Sequence, residues 1–132
     1  MNVINKIGLV IIQDKKLLLT LKKGTDKLII PGGKIDSGES HIDCLEREIK
    51  EELGAEIKTD SIKFLTSLED RAEFEPDTLL KMELYIGNIK GEPKALSEIE
   101  EFVWFSKDGD FQVLSHILSH KIMPYLIEKK YL

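Results

Sequence analysis

Three glutamates on one predicted helix are the residues of this chain best suited to do chemistry. Glu48 stands three positions before Glu51 and four before Glu52, so their carboxylates meet on one side of a helix. Like charges at these spacings destabilise a helix by roughly a few tenths of a kcal/mol per pair, which a bound cation would offset. Carboxylate oxygens suit Mg²⁺ or Mn²⁺, which commonly bridge protein carboxylates to substrate phosphates. The spacing therefore predicts a site for a divalent metal and a phosphorylated ligand.

A solvated, charged helix face is the other interpretation of these glutamates, and it is the usual meaning of glutamate-rich helical sequence. The surrounding residues favour the metal site. Gly33 and Glu39 stand in a turn-rich loop ahead of the helix, and Gly54 follows it directly. A loop that leads into a carboxylate-rich helix suits a site where backbone and side chains share one ligand.

Arg47 and two glycines are expected to support the glutamates. The forked guanidinium of Arg47 can hold a carboxylate in a fixed direction, although the residue could also be a surface cation. Gly32 and Gly33 could form only a turn. Because they lack side chains, they also allow the loop backbone to lie close to a metal or ligand. We favour the orienting role for Arg47 and the close approach for Gly33, and leave both interpretations open for Gly32.

The glutamates are positioned by the helix predicted over His41–Leu53, which carries a separate apolar stripe. The stripe consists of Ile42, Leu45, Ile49 and Leu53. Gly54 supplies a stop at the C-terminal end. One side of this helix should therefore pack on the core while another presents carboxylates.

Short strands are predicted before, between and after two helices. The predicted strands are residues 3–12, 17–21, 28–30, 62–68, 80–86 and 102–105. The first two are expected to form a hairpin, and 62–68 is expected to pair with 80–86. The last stretch reads as an amphipathic helix that Pro124 either kinks or begins. The pattern predicts an α/β fold with a mixed sheet that is covered on both faces.

Composition excludes several classes of protein. The 132 residues fit one domain, and 42% hydrophobic with 33% charged residues is ordinary for a globular protein. A net charge of -5 argues against nonspecific binding of duplex nucleic acid, and we expect no stable nucleic-acid partner. Cys44 is the only cysteine and is interpreted as a packing residue. No apolar run approaches the length of a membrane span, so we expect a cytoplasmic protein.

Residues 33–55 resemble the Nudix box, the signature of hydrolases that act on nucleoside diphosphates linked to another moiety. Pro31-Gly32-Gly33-Lys34 is a familiar entry to that box, and only Ala55 departs from it, since a bulkier aliphatic residue is usual there. The strand order and the acidic loop before Trp104 also look like the MutT-type branch of the family. The resemblance implies a Nudix-type α/β/α sandwich with a mixed central β-sheet, formed by residues 1–132 as a single domain.

The resemblance implies Mg²⁺ as cofactor, with Mn²⁺ as a substitute. The implied metal-binding residues are Glu48, Glu51, Glu52, Gly33 and Glu98. Glu98 fits best as the further carboxylate from the loop before the late aromatic strand, with Glu100 and Glu101 as competitors. The hypothesis is that metal ions neutralise a diphosphate while Glu51, Glu52 or Glu98 activates the attacking water and Arg47 assists.

Marks of three family subgroups are missing. ADP-ribose hydrolases tend to have a proline where this chain has Asp70 and Arg71, and dinucleoside polyphosphate hydrolases a tyrosine where Ala72 and Glu73 stand. The arginine-rich segment of coenzyme A hydrolases is replaced by lysines. By elimination, a MutT-like nucleoside triphosphate pyrophosphohydrolase leads. Base preference stays open, because residues 109–132 contain no match for the MutT-type purine-reading asparagine.

Substrate binding is expected to involve Gly32, Lys34, Arg71, Phe74 and Tyr85. Phe74 and Tyr85 could equally be core residues or cross-strand pairs. The alternatives to a nucleoside triphosphate are a nucleotide sugar, ADP-ribose or an isoprenoid diphosphate. A non-catalytic, nucleotide-sensing Nudix module is the alternative from another class. The sequence does not constrain the oligomeric state.

Overall fold

A computed structural model describes residues 1–132. The elements are β1 (Asn2–Val10), β2 (Ile12–Gln13), β3 (Lys16–Lys22), β4 (Gly32–Gly33), α1 (His41–Leu53), β5 (Glu56–Ile57), β6 (Lys63–Arg71), β7 (Thr78–Ile86), β8 (Ile89–Lys90), β9 (Ile99–Ser106) and α2 (Met123–Glu128). Short 3₁₀ turns cover Thr59–Ser61 and Phe111–Val113, and a π-helical turn at Leu118–Ile122 leads into α2. The long strands and α1 provide the framework of the site.

The strands form two main sheets, of which the larger is mixed. Its order is β4-β1-β7-β6, and β1 runs parallel to β7 but antiparallel to β4. The second sheet, β2-β3-β9, is antiparallel, and β5 pairs with β8 alone. The mixed sheet expected from the sequence is therefore confirmed.

The predicted strand over residues 3–12 is two strands. β1 belongs to the mixed sheet, whereas β2 pairs with β3 through Ile12↔Leu17 and Gln13↔Lys16. Asp14 and Lys15 join these two strands with φ angles of 51° and 62°, as a tight hairpin turn requires. The hairpin prediction is correct only for this end of the strand, because β1 pairs with distant segments.

Residues 28–30 do not form the predicted strand. They make isolated bridges, Thr20↔Ile29 and Leu28↔Leu114, because successive backbone groups bond to different neighbours. Leu28 donates its N–H to Val113, whereas Ile29 donates to Thr20. The next strand in the chain is β4, where Gly32 and Gly33 pair with β1.

The predicted pairing of 62–68 with 80–86 is confirmed in a longer form, since β6 and β7 pair antiparallel from Lys63↔Ile86 to Arg71↔Leu79.

Helix α1 has the predicted bounds. Ser40 caps its start by accepting from the Asp43 N–H at 3.1 Å, and Gly54 ends it in the left-handed conformation. These caps fix the helix that carries the glutamates.

Apolar clusters cover both faces of the central sheet. On one face α1 packs through Cys44, Leu45, Ile49 and Leu53 against β1 residues such as Leu9. Burial raises the pKa of the Cys44 thiol to about 11, as befits a packing residue. The C-terminal segment packs on the other face in a second cluster. The predicted α/β/α arrangement is therefore confirmed.

The amphipathic helix expected in the final stretch is present, since helical residues run from His116 through the π-helical turn to the end of α2. Pro124 lies in the first turn of α2, where its missing N–H is not needed. The wider π-helical turn comes immediately before it and accommodates the proline ring without an α-helical bond. Neither α-helix combines the length and the hydropathy that crossing a bilayer requires.

Candidate active site

Glu52 is the most deeply buried of the helix glutamates, with 3% of its surface exposed. Its Oε1 accepts the backbone N–H of Gly32 at 3.2 Å, which links α1 to β4. Burial, followed by the charges of Glu48 and Glu98, raises the pKa of Glu52 to about 7. No lysine or arginine forms an ion pair with the Glu52 carboxylate. A buried carboxylate without a cationic partner suits a bound cation.

Glu48 lies against the backbone of Gly33. A Cβ at Gly33 would stand 2.6 Å from the Glu48 Cδ, so any side chain would displace the carboxylate. Gly32 has φ +147°, and a Cβ there would lie 2.0 Å from the Ile7 carbonyl oxygen. Both glycines are therefore required by space, Gly33 for the carboxylate and Gly32 for the pairing of β4 with β1.

Arg47 joins the loop ahead of α1 to the glutamates. Its Nε and Nη2 donate to the two oxygens of Glu39 at 2.6 and 2.9 Å, and Nη2 donates to the Lys34 carbonyl at 3.2 Å. Nη1 donates to Glu48 Oε1 at 2.7 Å. The hydrogen bonds from Arg47 to Glu39 lower the pKa of Glu39 to about 2. The guanidinium thus has the contacts expected of an orienting group.

Glu51 and Glu98 are the exposed carboxylates of the site. Glu51 lies 3.4 Å from Arg47 Nη1, with half of its side chain exposed. Glu98 pairs with Lys22 at 3.5 Å. The loop that carries Glu98 is tied to the end of α1, because Ser97 Oγ donates to the Glu51 carbonyl at 3.1 Å. The structure therefore brings the loop carboxylate to the helix glutamates.

The competitors of Glu98 lie further along the chain, in β9. Glu100 and Glu101 are both exposed, and Glu101 pairs with Leu21 of β3 in the smaller sheet. The charge of Glu98 contributes to the raised pKa of Glu52, which places Glu98 near the helix glutamates. The geometry favours Glu98 among the three.

A groove begins beside the two glycines and, together with the open solvent at its mouth, spans about 770 Å³. Its polar lining includes Lys6, Lys22, Arg71 and Ser115. Its apolar lining includes Ile4, Ile29, Leu80, Met82, Ile117 and Phe74. The groove therefore joins the predicted metal site to an apolar compartment, and two of the predicted substrate residues, Arg71 and Phe74, line it.

Lys34 and Tyr85 are not part of the groove lining. The Tyr85 hydroxyl is 2.7 Å from His41 Nδ1, and its ring meets Phe64 edge-on. Lys34 lies in the loop that Arg47 holds, and its charge helps to lower the pKa of Lys6. Of the five residues predicted to bind substrate, the structure thus gathers Gly32, Arg71 and Phe74.

Lys6 is a candidate residue that sequence reasoning missed. It lines the groove, and burial, followed by the charges of Lys22 and Lys34, lowers its pKa. Apart from Asn2 and Asn5, the residues of β1 around it are apolar or glycine, so a lysine within that strand was the available signal. Lys6 and Lys22 place two ammonium groups in a groove that also reaches Gly32 and Gly33.

The donor set fits a divalent cation held jointly with a substrate. No three His, Cys, Asp or Glu side chains converge into a preformed metal cage, since Arg47 holds Glu48 and approaches Glu51. Mg²⁺ commonly takes only one or two protein carboxylates, and waters and phosphate oxygens complete its shell. Glu48, Glu51 and Glu52 are the residues that would hold it, with Glu98 within the same region.

Comparisons with known proteins agree with this geometry. Residues 4–109 match the family model described as NUDIX domain. The chain is 35% identical over 100 residues to an RNA pyrophosphohydrolase of Ruthia magnifica, covering 75% of this chain and half of that protein. It is 28% identical over 112 residues to the mRNA-decapping enzyme subunit 2 of Saccharomyces cerevisiae, covering 85% of this chain and 11% of that protein.

Solved structures show the same architecture. A MutT Nudix hydrolase from Burkholderia pseudomallei superposes with a TM-score of 0.76 at 25% identity, covering 93% of this chain and 96% of that one. The match to the family model begins within β1, ends just beyond β9 and includes the glutamates, both glycines and Arg47. The resemblance found in residues 33–55 is thereby confirmed, and this chain belongs to the Nudix family.

Proposed function

We propose that this protein is a divalent-metal-dependent pyrophosphohydrolase of nucleoside triphosphates that releases a nucleoside monophosphate and pyrophosphate. The observation that carries the proposal is the buried Glu52 carboxylate, which lacks a cationic partner and accepts only the Gly32 N–H. Gly32 also lines the groove that contains Lys6 and Lys22. Carboxylates for a metal and ammonium groups for phosphates are thus supplied by one continuous surface.

Each residue of the site has a role in this proposal. Bound Mg²⁺, or Mn²⁺ in its place, would neutralise the diphosphate and make water a better nucleophile. Glu48, Glu51 and Glu52 hold the metal, and Arg47 keeps Glu48 in position. Glu51, Glu52 and Glu98 are the candidates to take the proton from the attacking water.

The rest of the groove receives the nucleoside portion of the substrate. Ile4 and Lys6 of β1 lie beside Leu80 and Met82 of β7 in the register of the mixed sheet. The groove therefore extends along β1 from Gly32, which pairs with Gly8, toward Ile4. Four residues of strand measure roughly 13 Å, which is the length over which the groove follows β1.

An RNA with a phosphorylated end is the second candidate substrate. It is favoured by the similarity to an RNA pyrophosphohydrolase at 35% identity. The net charge of -5 argues against a nonspecific hold on a nucleic acid chain, so contacts would be confined to the end of the RNA. The proposal also includes a small-molecule substrate. It further includes a single domain over residues 1–132 and a cytoplasmic location.

A product analysis tests the proposed function. Purified protein with Mg²⁺, then Mn²⁺, then a chelator, is incubated with nucleoside triphosphates, oxidised nucleotides, a triphosphorylated RNA, ADP-ribose, a nucleotide sugar and an isoprenoid diphosphate. Metal-dependent release of monophosphate and pyrophosphate from a nucleoside triphosphate supports the proposal. If only another compound is hydrolysed, that compound replaces the nucleoside triphosphate as the proposed substrate. Nucleotide binding without turnover would support the sensing alternative.

A further inference from the structure

Asp70 and His116 form a short hydrogen bond beside the groove. His116 Nδ1 lies 2.6 Å from Asp70 Oδ2, and the two side chains are only 23% and 13% exposed. Because an ionised carboxylate only accepts, Nδ1 carries the hydrogen and donates it. A hydrogen bond to a carboxylate is among the stronger ones in proteins, and partial burial reduces competition from water. The proposed chemistry uses neither residue, so this bond needs another explanation.

The bond joins two sides of the groove. Segment 71–75 directly follows Asp70 and lines one side. Ser115 and Ile117, the chain neighbours of His116, line another side. The second oxygen of Asp70, Oδ1, accepts the backbone N–H of the first residue of segment 71–75 at 2.8 Å. Each oxygen of this carboxylate is therefore bonded to a different side of the groove.

Segment 71–75 has few other anchors. Residues 73–75 belong to no helix or strand, and their backbone forms no hydrogen bond within the protein. Ala72 donates its N–H to the Thr78 carbonyl at 2.9 Å, which closes the loop onto itself rather than onto the opposite side. The bond between Asp70 and His116 is the one side-chain hydrogen bond that joins β6 to the C-terminal segment. The spacing of the two sides therefore depends on it.

We propose that Asp70 and His116 are positioning residues of the groove, whose hydrogen bond holds segment 71–75 at the spacing from the C-terminal segment that the substrate requires. The inference rests on the proposed function, in which this groove receives the nucleoside. Neither side chain touches the substrate in this role. Without the bond the two sides are loose, and substrate binding has to restore their spacing at a cost in affinity.

His116→Phe tests the positioning role, with His120→Phe as the matched control. Phenylalanine keeps an aromatic ring at the position but donates no hydrogen bond to Asp70. His120 stacks on His116 at 3.9 Å, one turn along the same segment, and it does not line the groove. We expect His116→Phe to raise KM about tenfold with kcat unchanged, and His120→Phe to change neither. A wild-type KM in His116→Phe would overturn the proposal, as would an equal rise in His120→Phe.

Asp70→Ala removes the same bond from the other side. Because the two residues act as one unit, adding His116→Phe to Asp70→Ala should raise KM no further. Asp70→Asn, whose side chain can still bond to the imidazole, should recover most of the affinity. A bond that served only the fold would lower the melting temperature and the folded fraction, and the KM of the molecules that stay folded would not change. Independent, multiplying rises in KM for the two substitutions would contradict the proposal.

Amide hydrogen exchange of the ligand-free protein separates this inference from the proposed function. The Ala72 N–H reports the order of segment 71–75, and it should exchange about tenfold faster in His116→Phe but not in His120→Phe. Unchanged exchange in His116→Phe would overturn the positioning role even if triphosphates are hydrolysed. Faster exchange in a protein that hydrolyses no triphosphate would support the positioning role and refute the proposed function.

Discussion

The glutamate-bearing side of α1 and the groove along β1 differ in how far their polar groups are paired within the protein. Around Arg47 nearly every donor has a carboxylate or carbonyl partner, at distances down to 2.6 Å. In the groove, the Ser115 hydroxyl has no partner and Lys6 forms no ion pair. The first region is organised before a ligand arrives, as chemistry requires. The second leaves Lys6 free for a ligand, while Lys22 in the same groove pairs with Glu98 at 3.5 Å.

The difference suggests which region sets the reaction and which sets the substrate. Residues on α1 and in the preceding loop belong to the Nudix box, and their contacts depend on one another. The groove is built from β1, β7, residues 71–75 and the segment before α2, and half of its lining residues are hydrophobic. Substitutions on the helix should therefore change turnover, and substitutions in the groove should change substrate preference.

Glu52→Gln should have the largest effect and should leave the groove intact. It removes the charge that would hold the metal while keeping the shape and the Gly32 hydrogen bond. We expect kcat to fall by about 10³-fold with the fold retained. Steady-state kinetics with Glu46→Gln as control tests this, since Glu46 is exposed on the same helix. A Glu52→Gln enzyme with ordinary turnover would remove Glu52 from the mechanism.

Gly33→Ala should come next, because a Cβ would stand 2.6 Å from the Glu48 carboxylate carbon. The carboxylate must move, and a displacement of about 1 Å in a catalytic group can cost about 10²-fold in rate. Gly87→Ala is the control, since a Cβ there meets neighbours at 3.4 Å, an ordinary contact. Equal rates for Gly33→Ala and Gly87→Ala would show that the position of Glu48 does not matter.

Arg47→Lys should have a smaller effect on turnover, because it removes the paired hydrogen bonds to Glu39 and weakens the hold on Glu48. Loss of a group that orients a metal ligand typically costs about 10- to 100-fold. Glu39→Gln, which breaks the same pair from the other side, should give a similar loss in kcat. The kcat of both variants would be measured. Full activity in either variant would contradict the orienting role.

Stability should depend on pH through Glu52. Because burial raises the pKa of Glu52 to about 7, the folded protein binds its proton more tightly than the unfolded chain. Its contribution is therefore complete below the unfolded pKa of about 4.3 and is lost as the pH rises through about 7, by at most about 4 kcal/mol. Thermal melts of metal-free protein from pH 5 to 8 should show this fall, and Glu52→Gln should flatten it. A pH-independent melt of the metal-free protein would contradict the raised pKa.

Much of the site was predictable because its spacing is local. The glutamates, Arg47 and the caps of α1 depend on residues close in the sequence, so the helix appeared with its correct bounds. Strand pairing was less predictable. Residues 28–30 look extended, yet their backbone partners come from Thr20, Val113 and Leu114, far apart in the chain. Such partners are decided by tertiary packing rather than by local pattern.

The groove shows the same limit. Lys6, Arg71 and Ser115 come from β1, the end of β6 and the segment before α2, and only the folded sheet brings them together. Lys6 left a signal as a charge within an apolar strand. Ser115 left none, because a serine before a helix is an ordinary cap in sequence. Only the absence of a hydrogen bond in the folded protein distinguishes it.

The central claim is that the glutamates of α1 hold a divalent cation together with the substrate, and Mn²⁺ binding tests it most directly. Mn²⁺ affinity would be measured by electron paramagnetic resonance with and without a non-hydrolysable nucleoside triphosphate, for wild type, Glu52→Gln and Glu46→Gln. The account predicts weak binding alone, tighter binding with the nucleotide in wild type and Glu46→Gln, and loss of that gain in Glu52→Gln. Equal Mn²⁺ affinity in all three proteins, with the nucleotide present, would contradict it.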